Sequence, residues 1–299
     1  MHLSVNGTLI PDTQAVVPFY DHGFLYGIGL FETFRTYGGR PFRLDLHLRR
    51  LAEGCRSIGI VYEPDENELR QRITRLMEKN GCAEAYVRLS VSAGEQPLGL
   101  HTGDYDKPNE WIFAKPLAPA AGEACNPPRT LQLLRTRRNS PEGDVRLKSF
   151  HYLNNWLAKR ELRELGAPGS AEGVMTDARG AVAEGIVSNI FWVRDGKLFT
   201  PDLSTGILPG VTRGLVLELA QELGVAAEQG AFGLEELLGS DEAFLTNSIQ
   251  EIVPVDRIRE PDGRETPLPA VGEDAPVTRA LHRAYRCLTE REMAHGNRP

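Results

Sequence analysis

"RLKSFHYLNNWLAKREL", residues 146–162, is the stretch on which the reading of this chain turns. It spells an apolar-faced helix with Lys148 at its front, Tyr152 four residues behind and the pair Asn154 and Asn155 after that. The chain contains six lysines against 28 arginines, so a lysine at this point asks for a chemical reason. An ordinary lysine at a helix start lies along the surface with its charge in water. The apolar and aromatic neighbours of Lys148 favour a different role. Schiff-base chemistry needs an amine that can become neutral and attack a carbonyl; arginine, always protonated, cannot supply one. The asparagine pair fits either plain surface or a buried, hydrogen-bonded corner.

The rest of the chain bounds the setting. Its 299 residues suffice for two modest domains or one large one, with a core that needs no metal or disulfide. A formal net charge of -7 argues against a broad polyanion-binding face, so nucleic acid is not an expected partner. Cys55, Cys82, Cys125 and Cys287 are scattered, without a CxxC or a histidine at metal-ligand spacing, so reduced thiols and no metal are expected. The opening "MHLSVNGTLI" has no basic stretch followed by an apolar run, and no segment approaches the roughly 18–20 apolar residues of a membrane span. A cytoplasmic protein without a membrane partner is the expectation.

Periodicity and turn chemistry predict the organisation. "MHLSVNGTLIP" is a hairpin around Asn6-Gly7, and "GLFETFRTYGGRPFRL" a second pair of strands about Gly38-Gly39. "DLHLRRLAEGCRSIGI" reads as an amphipathic helix with Leu46, Leu48 or Leu51, Cys55 and Ile58 near one face, and a further helix runs from Glu66 to Lys79. "AYVRLSVSAG" and "EWIFAKPL" complete a small α+β domain over 1–117. The Pro- and Ala-rich stretch over 118–128 is the expected linker. In the larger α/β domain, 129–299, short strands alternate with helices at Leu153 to Glu164, Arg213 to Leu223 and Val277 to Glu290, and the terminal "REMAHGNRP" is expected to fray uninvolved. The GxG of "YGIGLFE" runs into a β-rich segment, which suits a tight turn rather than a dinucleotide cradle.

Two further stretches look chemically loaded. In "AVAEGIVSNIFWV", Glu184 precedes an apolar strand, where a carboxylate serves as a turn residue or as a partner for a ring nitrogen. In "STGILPGVTRG", a turn leads into a helix whose first unbonded amides belong to Val211 and Thr212; Thr212 as a cap and an anion seat are compatible readings.

Taken in order, "DHGFLYGIGLFETFR", "HLRRL", "KSFHYLNN", "EGIVSNIF", "GILPGVTR" and "LTNSIQEIVPV" resemble the fold type IV pyridoxal-phosphate enzymes, the class IV aminotransferase superfamily, across nearly the whole chain. The resemblance implies an α+β, two-domain fold like that of D-amino-acid aminotransferase, a pocket at the domain boundary, a homodimer and pyridoxal 5'-phosphate as cofactor. It implies that Lys148 forms the Schiff base and then moves the proton, that Glu184 faces the pyridine nitrogen, that Arg50 with Val211, Thr212 and Ser248 holds the phosphate, and that Tyr152 touches the ring. Arg49 is the neighbour most easily confused with Arg50.

Within the superfamily the likeness is to the 4-amino-4-deoxychorismate lyases, carried by "GDVRLKSFHYLNNWLAKREL", "LTNSIQEIVPV" and "AGEQPLGLHTGDYDKP". That group eliminates pyruvate from a small-molecule substrate to leave 4-aminobenzoate, a folate precursor. The alternative is an aminotransferase for D-amino acids or branched-chain L-amino acids. "SVSAGEQPLGLH" places Leu98 and Leu100 where D-amino-acid enzymes hold a carboxylate, which weakens the first; Tyr86 and Arg88 keep the second open. A substrate with two carboxylates needs compensating donors, because an unpaired buried carboxylate costs several kcal/mol. Arg88 and the amides near Ser248 and Ile249 are the candidates, with Tyr26 and Thr33 in the same presumed pocket.

Overall fold

The computed structural model describes residues 1–119 and 126–295, without the side chain of His295. Part of the expected linker, 120–125, lies outside the described residues. The chain forms two compact units, and the division is not one cut. Leu147–His151 and Thr289–Pro299 belong with Met1–Ala120, whereas the second unit is Ala121–Arg146 with Tyr152–Leu288. The expected domains, 1–117 and 129–299, therefore miss two returns of the chain.

In the first unit β1 (His2–Val5) and β2 (Thr8–Pro11) form the expected hairpin, with Asn6 and Gly7 both at positive φ. A short helix, α1 (His22–Tyr26), follows; the Asp21 carboxylate caps it by accepting from the Gly23 amide at 2.7 Å. Next come β3 (Gly29–Tyr37), the two-residue β4 (Arg40–Pro41), α2 (Leu44–Ser57), α3 (Glu66–Asn80), β5 (Ala85–Ser92) and β6 (Asn109–Pro116). The strands form an antiparallel sheet in the order β2-β1-β6-β5-β3-β4. Leu44, Leu48, Leu51 and Cys55 of α2 and Leu69, Ile73 and Leu76 of α3 pack with Val87, Leu89 and Ile112 of the sheet. Because α2 starts at Leu44, its buried row is Leu44, His47, Leu48, Leu51 and Cys55; Leu46 and Ile58, expected on that face, are only half-buried.

The second unit contains β7 (Arg129–Leu133), α4 (Leu153–Glu164), β8 (Glu172–Thr176), β9 (Val182–Gly185), β10 (Asn189–Arg194), β11 (Lys197–Pro201), α5 (Val211–Glu222), β12 (Ala227–Gly230), α6 (Leu234–Leu238), β13 (Glu242–Asn247), β14 (Glu251–Arg259) and β15 (Glu265–Pro267). Its sheet runs β12-β11-β10-β13-β14-β7-β8-β9, with β15 on β14. β7 is parallel to both β14 and β8, and β12 to β11, so the sheet is mixed. Trp192, Leu131, Val255 and Ile258 centre one core, and Leu134, Ala158 and Leu162 line a second that includes α4. The last helix, α7 (Pro276–His295), continues well past the expected Glu290, so "REMAH" is helical and the fraying expected there fails up to His295; residues 296–299 lie outside the described residues. Among the described residues no helix is long and apolar enough to cross a membrane.

Candidate active site

Lys148 does not open a helix. α4 starts five residues later, and the chain at Lys148 is extended because its backbone is bound to β3. The Phe31 amide donates to the Lys148 carbonyl at 2.9 Å, and the Phe150 amide to the Gly29 carbonyl at 2.9 Å. Gly29 is needed for that approach: a Cβ there would run into the Phe150 ring. The half-buried Lys148 side chain puts Nζ 4.8 Å from the centroid of the Phe31 ring.

Beside it lies a charged cluster that the sequence did not reveal. Glu32, 1% exposed, accepts from Arg50 Nε at 2.7 Å and Nη2 at 2.6 Å, and pairs with His47 Nδ1 at 2.7 Å. Burial alone would raise the Glu32 carboxyl, but Arg50 and His47 hold it at about 2. Burial lowers His47, and Glu32 pulls it back up. Arg50 thus points inward on a fixed carboxylate while Arg49 is exposed, which separates the two neighbours. The only available signal was spacing: His47 and Arg50 are three apart on α2, and Glu32 follows the apolar Leu30 and Phe31 on β3.

Arg88 stands opposite Thr33 in the β3–β5 register, with its guanidinium 3.6 Å from the Phe31 centroid and its Nε on Ser90 Oγ at 3.2 Å. Arg88 and Lys148 therefore meet the same ring, a relation between distant residues that no local pattern could show. The Tyr26 hydroxyl accepts from the Gly99 amide at 2.9 Å. Leu98 and Leu100 are exposed, and His101 Nε2 lies 3.3 Å from the Asp104 carbonyl.

The second unit centres on Glu184, buried at the end of β9. Its Oε1 accepts from Arg138 Nε at 2.7 Å; its Oε2 accepts from the Leu208 amide at 2.9 Å and Asn189 Nδ2 at 3.2 Å. Arg146 Nε lies 3.9 Å from Oε1 while its guanidinium donates to the carbonyls of Gly206 and Asn139. Burial and then repulsion from Arg138 push Arg146 down to about 10. Arg138 Nη1 also donates to Asn154 Oδ1 at 2.8 Å and Asn155 Oδ1 at 3.2 Å. The asparagine pair is accordingly the hydrogen-bonded corner. Neither Arg138 nor Arg146 stands out locally among 28 arginines.

At α5 the N-cap is Gly210, not Thr212, and the amides of Val211 and Thr212 fall in the first turn, where helix geometry provides no acceptor. A Cβ on Gly210 would strike Asn189 Oδ1, so glycine admits the side chain that steadies Glu184. Thr212 Oγ1 lies 3.3 Å from Ser248 Oγ. The Ile249 amide, a candidate carboxylate donor, is instead given to Asn247 Oδ1 at 3.0 Å in a local side-chain turn. Tyr152, 40% exposed, is the N-cap residue of α4.

Residues 29–258 match the family described as amino-transferase class IV. The chain belongs to the class IV aminotransferase family. It is 44% identical over 258 residues to the aminodeoxychorismate lyase of Bacillus subtilis (strain 168), covering 86% of each chain. It is 30% identical over 290 residues to a D-alanine aminotransferase of Listeria monocytogenes serotype 1/2a, covering 95% of each. Among solved structures, the branched-chain aminotransferase of the archaeon Thermoproteus uzoniensis with norvaline superposes with a TM-score of 0.82 at 29% identity, over 97% of this chain and 94% of that one. The α+β architecture expected of this family is the one observed.

Proposed function

We propose that this enzyme is a pyridoxal 5'-phosphate-dependent lyase that eliminates pyruvate from 4-amino-4-deoxychorismate and leaves 4-aminobenzoate. The likeness to the B. subtilis lyase carries the choice over a transaminase. The donor set fits the cofactor: a lysine on a backbone-fixed segment, a buried carboxylate with three donors around it, and a helix start with two hydroxyls. Lys148 would hold it covalently, Glu184 would face its ring nitrogen, and Arg50 with the Val211 and Thr212 amides, Thr212 Oγ1 and Ser248 Oγ would hold its phosphate. When bound, the cofactor supplies an electron-accepting ring that stabilises negative charge developing on the substrate's amine-bearing carbon.

The chain's own residues do the rest. Released from its covalent bond as the substrate's amine takes its place, Lys148 Nζ would be free to take the proton from the amine-bearing carbon. As the neighbouring carbon–oxygen bond breaks, the enolpyruvyl group leaves with the electron pair and gains a proton to become pyruvate, and the ring becomes aromatic. Arg138 fixes Glu184 in place, and Glu32 fixes Arg50. Arg88, beside the Phe31 ring, is the donor for a substrate carboxylate, and Tyr26 and Thr33 would shape the same region. With the Ile249 amide given to Asn247, Ser248 is the remaining candidate in that turn.

We propose further that the enzyme works as a cytoplasmic homodimer. Phe19, Tyr20 and Phe24 in the first unit and Leu153, Trp156 and Leu157 in the second are exposed apolar residues of the kind a partner subunit covers. Incubation with 4-amino-4-deoxychorismate alone tests the reaction: equal release of pyruvate and 4-aminobenzoate supports the lyase. Rapid transfer from D-alanine or L-leucine to 2-oxoglutarate, with negligible pyruvate from the first substrate, would support a transaminase.

A further inference from the structure

The first unit contains a cavity of about 780 Å³ lined by the β3–β4 turn, α3 and the last turns of α7. It is separate from Lys148. Phe31, which binds the Lys148 carbonyl, and Tyr37, which lines the cavity, are six residues apart on β3, or roughly 20 Å at about 3.3 Å per residue.

Its chemistry is divided. Tyr37 and Phe42, both buried and edge-to-face at 5.1 Å, form an aromatic wall with Met293 beside them. Of the charged lining residues, Arg70 is paired with Glu66 at 2.6 Å, and Glu292 with Arg43 at 2.8 Å. Arg40 and Arg75 line the same space, are exposed, and form no ion pair among the described residues. Two uncompensated guanidiniums beside an aromatic wall are notable in a chain of net charge -7. The volume lies within the roughly 300–1,000 Å³ of small-molecule sites and far exceeds an inorganic ion. Guanidinium groups bind carboxylates in a two-pronged fashion, and aromatic walls with a thioether favour a flat ring.

We propose that this cavity binds a small aromatic carboxylate, its ring against Tyr37, Phe42 and Met293 and its carboxylate held by Arg40 and Arg75. Occupancy there is independent of which reaction Lys148 performs. Calorimetric titration of the holoenzyme with benzoate, benzyl alcohol and inorganic phosphate tests it, alongside the Arg75→Glu and Thr74→Trp variants. Thr74 is an exposed lining residue of α3, and tryptophan there would fill the space. A benzoate-binding step is expected that weakens by about ten-fold or more in Arg75→Glu, disappears in Thr74→Trp, and is at least about ten-fold weaker for the alcohol and for phosphate. Unchanged thermal midpoints show that the variants are folded; should Thr74→Trp fail to fold, Arg75→Glu alone decides. A benzoate isotherm identical in Arg75→Glu, no binding at all, or phosphate binding as tightly as benzoate would overturn the proposal.

Discussion

Glu32→Gln removes one negative charge from between Arg50 and His47 while keeping the side chain's size. In the parent the Glu32 carboxyl sits at about 2 against an ordinary 4.5, the pull of Arg50 and His47 exceeding the cost of burial. That difference corresponds to on the order of 3 kcal/mol of folding stability at neutral pH. A carboxyl with a depressed value stabilises the fold fully above 4.5, and that contribution is lost as pH falls from 4.5 towards 2. Losing one partner of a buried ion pair costs about 3–5 kcal/mol, and the 18% exposure of Arg50 lets water recover part of it. Urea unfolding at pH 7 should therefore show Glu32→Gln less stable by about 3 kcal/mol. The gap between parent and variant should shrink as the pH is taken from 5 to about 3. A difference below about 1 kcal/mol at pH 7, or a gap that does not change with pH, would refute the view that this cluster fixes Arg50.

Lys148→Ala should lower turnover by more than about 10²-fold while the circular dichroism spectrum stays that of the parent; activity above about a tenth of the parent's would rule out the assigned role. Arg50→Ala should lose cofactor on dialysis and the exposed Arg49→Ala should keep it, and the opposite pattern would exchange their roles. Gly29→Ala pushes a methyl group into the Phe150 ring, so unfolding should be easier by about 1–3 kcal/mol and turnover should fall through displacement of Lys148; parental stability and turnover would contradict the close approach.

The hairpin at Asn6-Gly7, the turn at Gly38-Gly39 and α3 between Asp65 and Gly81 were readable from the chain because each is set by residues within one or two turns of it. β12, with Glu228 and Gln229 exposed, and the five-residue α1 and α6 were not, since they offer too few residues for a period to show. The bounds Leu153 to Glu164 agree with α4, but the reading that this helix opens at Lys148 fails for a different reason. The apolar residues from Leu147 to Phe150 look like the first turn of a helix, but their backbone is taken by Gly29 and Phe31, more than a hundred residues earlier. Lys148, Glu184, Arg50 and Thr212 were picked out by motif; Glu184 and Arg50 stand in ion pairs and Thr212 beside Ser248, whereas Lys148 Nζ meets the Phe31 ring. Glu32, His47, Arg138 and Arg146 were missed because their importance comes from which carboxylate or guanidinium the fold sets opposite them. Ile249 was misjudged because an asparagine two residues earlier takes its amide.

The most direct test of the lyase reading is a single-substrate incubation of the purified holoenzyme with 4-amino-4-deoxychorismate and no keto acid, following pyruvate and 4-aminobenzoate together. The account predicts the two products in equal amounts over many turnovers, and none from Lys148→Ala. Failure of the parent enzyme to release pyruvate, while it transfers amino groups from D-alanine or L-leucine to 2-oxoglutarate, would contradict it.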